Sequence, residues 1–354
     1  MSGSHTKLLR LRAGKTALAS LRAEGFSPEL FSTVVGASGG PKWLVLSQLD
    51  RVLVEDLIEP GRTPLDFVGS SIGSFRHACL AQSDPRAAIE RFEASYIAQA
   101  YDARPTGAQV SAESVRILDI LMGDKGRSEV VANPRLRNHV IAARVRGPLG
   151  LHLPLGLAAA GNLVSRGTLG WFFERALFST PRAGAPLEFA RFSTARIELS
   201  ERNLDRAVLA SGTIPFVMDG IRDIEGASPG LYLDGGLLDY HFDFEFRGPA
   251  GLVLFPHFFE HITPGWLDKN LQWRRVRGEA LDRVLMISPS DEFVKGLPGG
   301  RVPDRSDFER MSTEERQAQW WEIVRACGAL ADQLHDWITT GRIVEVIEPF
   351  DPAD

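Results

Sequence analysis

The sequence predicts an α/β protein of three layers, in which helices cover both faces of a mainly parallel central sheet. Short runs of β-branched and aromatic residues alternate with helical patterns along the chain, and this order is typical of a sheet covered on both faces. Two strand–turn–helix units also follow each other, with their turns at residues 36–42 and 69–73. We expect residues 1–354 to form a single domain, in which residues 85–185 are a helical insertion or lid.

Each strand is predicted from an apolar run bounded by turn residues. The predicted strands are 31–35, 65–68, 139–145, 187–192, 251–255 and 284–287. A helix is expected after Ser312, which has capping-box spacing to Glu315. The alternation of aromatic and polar residues in 241–246 predicts a half-buried strand. The basic residues of segment 1–24 predict a solvated helix face.

Composition and charge exclude several classes of protein. With 44% hydrophobic and 24% charged residues, the chain is too apolar to be disordered. A net charge of −5 does not supply the overall basic surface that binds phosphate backbones, so nucleic acid is not expected as a partner. Cys79 and Cys327 have no other Cys or His at metal-ligand spacing. We therefore expect no metal site at the cysteines and no disulfide framework, and a reducing, cytoplasmic compartment fits. No motif in the sequence implies a metal or another cofactor.

Two segments bear on membranes. No apolar run of signal-peptide length follows the basic residues of segment 1–24, so no cleaved secretory signal is expected. Residues 147–165 approach membrane-spanning length, but they contain His152, Pro154, Asn162 and four glycines. We expect a mobile cover there instead of a span. Together with Trp171 it either contacts lipid, as a peripheral contact with a membrane, or is ordinary core.

A candidate nucleophile lies in the second turn. Gly69-Ser70-Ser71-Ile72-Gly73 matches the nucleophile-elbow pattern Gly-x-Ser-x-Gly, in which small neighbours let a serine occupy a strained turn with its Oγ exposed. The pattern alone is weak, but here it follows a predicted strand and opens a predicted helix. Ser71 is therefore expected to be a nucleophile, and the alternative is a turn that only links the two elements.

The first turn offers both a rival nucleophile and an anion site. Gly36-Ala37-Ser38-Gly39-Gly40 fits the same pattern, so Ser38 competes with Ser71. Gly39 and Gly40, however, supply consecutive unhindered backbone N–H groups at a helix start, where an anionic oxygen is held well. We expect this loop to form an oxyanion hole and the second loop to carry the nucleophile.

A third motif supplies a carboxylate. Asp234 ends an apolar run and precedes Gly235 and Gly236. It could take the hydroxyl proton of Ser71 as a general base, or the tripeptide could be an ordinary Asp-Gly turn.

Together these motifs resemble the patatin-like phospholipase family. The loop Gly39-Gly40-Pro41-Lys42 is similar to the family's glycine-rich loop with its basic residue, and the elbow and the Asp-Gly-Gly follow in the family's order. Residues 209–215 are similar to the family's A-S-x-x-I-P stretch. Two positions depart from the family pattern. Ser38 occupies a position where the family usually has a glycine, and Trp43 occupies one where it commonly has a small residue.

The resemblance implies a patatin-like fold and a serine hydrolase that acts on carboxylic esters of lipids, as a lipid acyl hydrolase, phospholipase or carboxylesterase. Ser71 and Asp234 would form a catalytic dyad. The N–H groups of Gly39, Gly40 and Ile72 would form the oxyanion hole. Ser38 and Lys42 would support the oxyanion loop.

Three alternatives stay open. A conventional Ser-Asp-His hydrolase would use Ser71, Asp234 and either His257 or His261, in the chain order of α/β-hydrolases. The chain could instead be a non-catalytic lipid or partner binder on the same fold. A phosphate-binding protein is the third, although neither loop has the full G-x-x-x-x-G-K-[ST] pattern of nucleotide binding.

Overall fold

The computed structural model of the chain describes residues 7–101, 105–147, 152–181 and 187–350. Its strands are β1 Leu9–Ala13, β2 Phe31–Gly36, β3 Leu65–Ser70, β4 Leu136–Val145, β5 Phe173–Ser179, β6 Glu188–Phe189, β7 Thr194–Glu198, β8 Ile221–Arg222, β9 Leu231–Asp234, β10 Phe246–Arg247, β11 Leu252–Pro256, β12 Val284–Pro289 and β13 Glu348–Pro349.

The α-helices range from single turns to the sixteen residues of the longest. They are α1 Lys15–Glu24, α2 Ser47–Leu53, α3 Ile72–Leu80, α4 Pro85–Ile97, α5 Gly107–Met122, α6 Gly126–Ala132, α7 His152–Val164, α8 Leu169–Phe172, α9 Leu204–Ser211, α10 Gly236–Asp239, α11 Asp291–Gly296, α12 Asp307–Arg310, α13 Thr313–Ala326, α14 Gly328–Thr339 and α15 Ile343–Val346.

The central sheet is large, mixed and mainly parallel, and helices flank it in the three-layer α/β/α arrangement predicted from the sequence. Its strand order is β13-β1-β12-β11-β2-β3-β4-β5-β7, and β9 pairs with both β4 and β8. Strands β12, β11, β2, β3 and β4 are parallel to one another. Such central strands are buried on both faces, which is why β2 and β3 are buried at every residue.

Strand β4 brings two distant parts of the chain together. Its first half pairs in parallel with β3, where Ser70 lies opposite Ile141. Its second half pairs antiparallel with β9, where Asp234 lies opposite Ala142. Strands β3 and β9 therefore run towards each other and end at adjacent residues of β4. Whatever follows Ser70 must meet Asp234.

Three sequence predictions of local structure were wrong. Segment 1–24 is not helical throughout, because β1 lies inside the sheet with Arg12 buried, and only α1 is helix. Residues 187–192 do not return to the central sheet, since β6 pairs only with β10. Residues 241–245 form no strand, because Phe242 and Phe244 have positive φ angles of 67° and 58° that break an extended backbone. Ser312 does cap α13 through a capping box.

The range 85–185, predicted as an insertion or lid, contains helices α4 to α8 together with strands β4 and β5. Residues 148–151, where the predicted cover begins, lie outside the described part of the chain. Helices α7 and α8 share a small apolar core with β4, β5, β9 and α10. This core covers the end of β9, so it fixes the surroundings of Asp234.

Buried ion pairs hold the helices next to the strand ends. The guanidinium of Arg76 in α3 donates to both carboxylate oxygens of Asp50 in α2, at 2.8 and 2.5 Å. Arg175 in β5 binds Asp239 in α10 in the same bidentate way, at 2.7 Å for each contact. Both pairs are almost completely inaccessible to solvent. Such pairs fix geometry strongly, because breaking one leaves a buried charge without compensation.

We predict that Asp239→Asn lowers the free energy of unfolding by about 3 kcal/mol, because it leaves the buried Arg175 without a counter-charge. The measurement is chemical denaturation at neutral pH. Glu225→Gln is the matched control, since Glu225 pairs with Arg202 at 3.5 Å on the surface, and it should change stability by less than about 0.5 kcal/mol. Equal effects of the two substitutions would contradict the prediction.

Candidate active site

Ser71 lies at the sharp turn between β3 and α3. Its φ and ψ angles are 55° and −127°, a conformation that costs free energy for a residue other than glycine and that tends to occur at functional sites. The flanking residues must be glycines, because backbone atoms of neighbouring segments approach them too closely for a side chain. A Cβ atom at Gly73 would lie 2.0 Å from the carbonyl oxygen of Gly36, and one at Gly69 would lie 2.7 Å from the amide nitrogen of Ser74. The elbow pattern thus has a steric origin in this chain.

Ser211 holds the backbone of the turn. The N–H of Ser71 donates to the Ser211 hydroxyl oxygen at 2.8 Å, and that hydroxyl donates to the carbonyl oxygen of Ile141 at 2.6 Å. The strained turn is thereby tied to β4. Ser211 is the serine of the A-S-x-x-I-P stretch. The sequence indicated that this stretch resembles the family, but it did not predict a structural role for the serine.

Asp234 contacts Ser71 directly. The Ser71 hydroxyl donates to Oδ2 of Asp234 at 2.7 Å, and the Gly236 N–H donates to Oδ1 at 2.7 Å. The two glycines after Asp234 also have no room for a side chain. A Cβ atom would lie 2.2 Å from the Ile141 carbonyl oxygen at Gly235 and 2.7 Å from the Ser38 hydroxyl at Gly236. The Asp-Gly-Gly motif is therefore more than a surface turn.

The ionisation of Asp234 is set by opposing effects. Burial raises the pKa of its carboxyl group above the ordinary value for aspartate. Hydrogen bonds from Ser71 and the Gly236 amide oppose this, and so do the positive charges of Arg305 and Lys269. Burial prevails, so the carboxylate is a stronger base than an exposed aspartate.

The glycine loop lies beside this pair. Gly40 has a φ angle of 56°, which glycine adopts without strain. A Cβ atom at Gly39 would lie 2.6 Å from the ring of Phe258. Within the described residues, the N–H groups of Gly39, Gly40 and Ile72 have no hydrogen-bond acceptor in the chain. They are therefore available to an oxygen of a ligand.

Ser38, the rival nucleophile, has structural contacts. Its hydroxyl donates to the hydroxyl of Ser70 at 3.0 Å, and its N–H donates to the carbonyl oxygen of Tyr240 at 2.8 Å. These bonds fix the start of the glycine loop. Trp43 fixes its end, because its ring is buried and stacks on Phe92 at 4.1 Å between centroids. Trp43, which replaces the small residue common in the family at this position, thus fills the core.

The histidines of the alternative mechanism lie elsewhere. Within the described residues no histidine lines the pocket at Ser71. Nδ1 of His257 lies 2.8 Å from the carbonyl oxygen of Phe259, and burial lowers the pKa of this imidazole to about 3. His261 stacks on the ring of Phe259, and burial lowers its pKa as well. The sequence order of a Ser-Asp-His hydrolase is present, but these contacts do not assemble one.

Ser71 and Asp234 open into a pocket of about 140 Å³. The glycine loop, the segment after Ser211 and two C-terminal segments line it. The lining residues are Ser38, Gly39, Gly40, Lys42, Ser71, Ile214, Pro215, Asp234, Leu237, Tyr240, Trp266, Lys269, Asp304 and Arg305. Of the predicted site residues, Ile72 alone is not in this lining, and its amide follows Ser71 at the start of α3.

Sequence reasoning missed Trp266, Lys269, Asp304 and Arg305. Trp266 lies in a short helical turn and the other three lie in irregular segments, and none belongs to a recognisable motif, so no local signal marks them. Asp304 forms an ion pair with Lys42, and the hydrogen bonds and charge of that lysine lower the pKa of Asp304 far below its usual range despite partial burial. The predicted supporting lysine therefore has an acidic partner.

Metal and membrane features are separate from the pocket. Among the described residues, the side chains that could hold a metal ion together are Glu55, Asp56 and His335, and none of them lines the pocket. In the same part of the chain, every helix is too short or too polar to span a lipid bilayer.

Comparison with known proteins identifies the sequence family of the chain. No curated protein sequence matches the chain. The sequence model of the Patatin-like phospholipase family matches residues 45–241, which include Ser71, Ser211 and Asp234. This match spans more than half of the 354 residues. The chain belongs to the patatin-like phospholipase family, whose members are lipid acyl hydrolases.

Proposed function

We propose that this protein hydrolyses carboxylic esters of lipids with a Ser71–Asp234 dyad. The observation that carries the proposal is the 2.7 Å hydrogen bond from the Ser71 hydroxyl to the buried carboxylate of Asp234. The strained backbone at Ser71 adds support, because strain of this kind persists where function requires it.

In the proposed first step, Oγ of Ser71 attacks the carbonyl carbon of the ester while its proton passes to Oδ2 of Asp234. The tetrahedral intermediate then collapses as the C–O bond of the ester breaks, and the departing alkoxide oxygen takes the proton from Asp234. Water attacks the acyl-serine in the second step. Its proton again passes to Asp234 and from there to Oγ of Ser71, which releases the fatty acid.

The developing negative charge on the carbonyl oxygen needs donors that are already in place. The N–H groups of Gly39, Gly40 and Ile72 fit this task, because they have no acceptor among the described residues. Ser38 and Lys42 would support the loop, since Ser38 binds Ser70 and Lys42 pairs with Asp304. No step of this mechanism requires a histidine.

Contact with a lipid surface is part of the same proposal. Leu163 and Val164 at the end of α7 are 62% and 86% exposed, and Trp171 is 75% exposed. Helix α7 is anchored beside the pocket, because the amide of Asn162 donates to Asp268 at 2.7 Å. Asp268 belongs to the short helix Trp266–Asp268, which carries one of the pocket residues. An apolar rim near the pocket would bring the ester to Ser71 from a bilayer.

Ser71→Ala should lower esterase activity by about three to six orders of magnitude, because it removes the attacking oxygen. Activity on short acyl esters is the measurement, and labelling by a fluorophosphonate probe checks the nucleophile directly. Ser38→Ala is the matched control and should keep most of the activity and the label. The opposite pattern would make Ser38 the nucleophile.

Asp234→Asn should abolish turnover while the protein stays folded, because the amide keeps the shape but cannot accept a proton. In the native protein, kcat/KM should rise with pH through one apparent pKa, since the base must be ionised. This pKa should lie above that of an exposed aspartate, because burial raises the pKa of Asp234. A folded His257→Gln or His261→Gln variant without activity, beside an active Asp234→Asn, would replace the dyad by a histidine mechanism.

Trp171→Ala and Val164→Ser should reduce hydrolysis of phospholipid vesicles several-fold and leave hydrolysis of a short soluble ester nearly unchanged, because both remove exposed apolar surface. Val115→Ser is the control, since Val115 is an exposed valine on α5, 43% accessible. Loss of activity on both substrates would argue against contact with a membrane.

A further inference from the structure

Two cationic side chains that line the pocket, Lys269 and Arg305, form no ion pair among the residues that the structure describes. Arg305 lies against the glycine loop, where a Cβ atom at Gly40 would be 3.6 Å from its Cγ atom. Within the described residues, no hydrogen bond or ion pair involves its guanidinium group. Five N–H donors of a fixed planar fork are therefore available at the pocket wall.

Lys269 is the second cation. Its Nζ atom lies 4.4 Å from the centroid of the Tyr240 ring and 5.6 Å from that of Trp266, so aromatic faces hold it. Loss of hydration, together with the positive charges of Arg305 and Lys42, lowers the pKa of Lys269 to about 8. Like charges gathered in this way gain stability when an anion joins them.

Lys42 differs from these two residues because Asp304 neutralises it. With that pair set aside, the charged groups of the pocket are the cations Lys269 and Arg305 and the carboxylate of Asp234, which Ser71 and Gly236 already bind. An excess of positive charge thus remains beside the candidate nucleophile, in a chain whose net charge is −5. A neutral ester would leave this excess positive charge without a counter-charge.

We propose that Lys269 and Arg305 bind an anionic group of the substrate, a phosphate or carboxylate, and so direct the enzyme to acyl esters that carry such a group. This inference rests on the proposed function. Arginine binds phosphate and carboxylate oxygens in a bidentate manner, and lysine adds a point charge. Since Arg305 contacts the glycine loop, the anion would lie close to the ester carbonyl that this loop is proposed to hold.

The test compares two esters with the same acyl chain, a 1-acylglycerol 3-phosphate and the corresponding neutral monoacylglycerol. The readout is the ratio of their kcat/KM values, in which any change in the pKa of Asp234 in the free enzyme cancels. Lys269→Met and Arg305→Gln should each lower this ratio about tenfold or more, as loss of a charge-assisted hydrogen bond implies. Lys15→Met and Arg325→Gln are the controls, because both are exposed cations outside the pocket lining, and their ratio should equal that of the native protein.

An unchanged ratio in the Lys269 and Arg305 variants would overturn the inference. Absence of turnover of both esters by the native protein would instead contradict the proposed function, so the two failures are distinct.

A competition experiment distinguishes a lipid headgroup from a free phosphate as the bound anion. Glycerol 3-phosphate and inorganic phosphate are compared as inhibitors of monoacylglycerol hydrolysis. Stronger competition by glycerol 3-phosphate than by inorganic phosphate would assign the subsite to a lipid headgroup, and equal competition would assign it to the phosphate group itself. Competition by neither would count against an anionic subsite.

Discussion

The candidate site depends on the pairing of strand β4 with two partners on one side. Strand β3 occupies the first half of this edge and β9 the second half, so their ends meet at Ile141 and Ala142. A slip of β9 by one residue would displace Asp234 by about 3.3 Å and turn its side chain to the other face of the sheet. The carbonyl oxygen of Ile141 opposes such a slip. It accepts a hydrogen bond from the Ser211 hydroxyl, and it leaves room only for a glycine at position 235.

Electrostatics and geometry support each other in the pocket. Burial makes the Asp234 carboxylate a stronger base, while Lys269 and Arg305 limit the rise of its pKa and so keep it ionised more readily. The same two cations are the ones proposed to hold an anionic substrate. A bound anion would weaken their effect on Asp234 and raise its basicity further at the moment when a base is needed.

The parts that were predictable from sequence are those with a local steric cause. Gly69, Gly73, Gly235 and Gly236 are required by contacts within a few ångströms, and such requirements leave motifs. The central parallel strands were predictable because they are buried on both faces and read as apolar runs. Ser71 and Asp234 were also found from their motifs. The distance of 2.7 Å between Ser71 Oγ and Asp234 Oδ2 could not be predicted, because it follows from the register of the strands on β4.

Other features have no local signal. Lys269 and Arg305 reach the pocket from irregular segments, and their positions follow from tertiary packing alone. Strand β1 alternates leucine and arginine. It was not predicted, because arginine side chains are expected to be solvated, whereas Arg12 is buried. The Ser71–Asp234 contact joins residues 163 positions apart. A contact of this range carries a loop-closure cost that other pairings must offset before it adds stability. In the proposed mechanism, a chain in which β9 has not yet paired with β4 would therefore have the serine without its base.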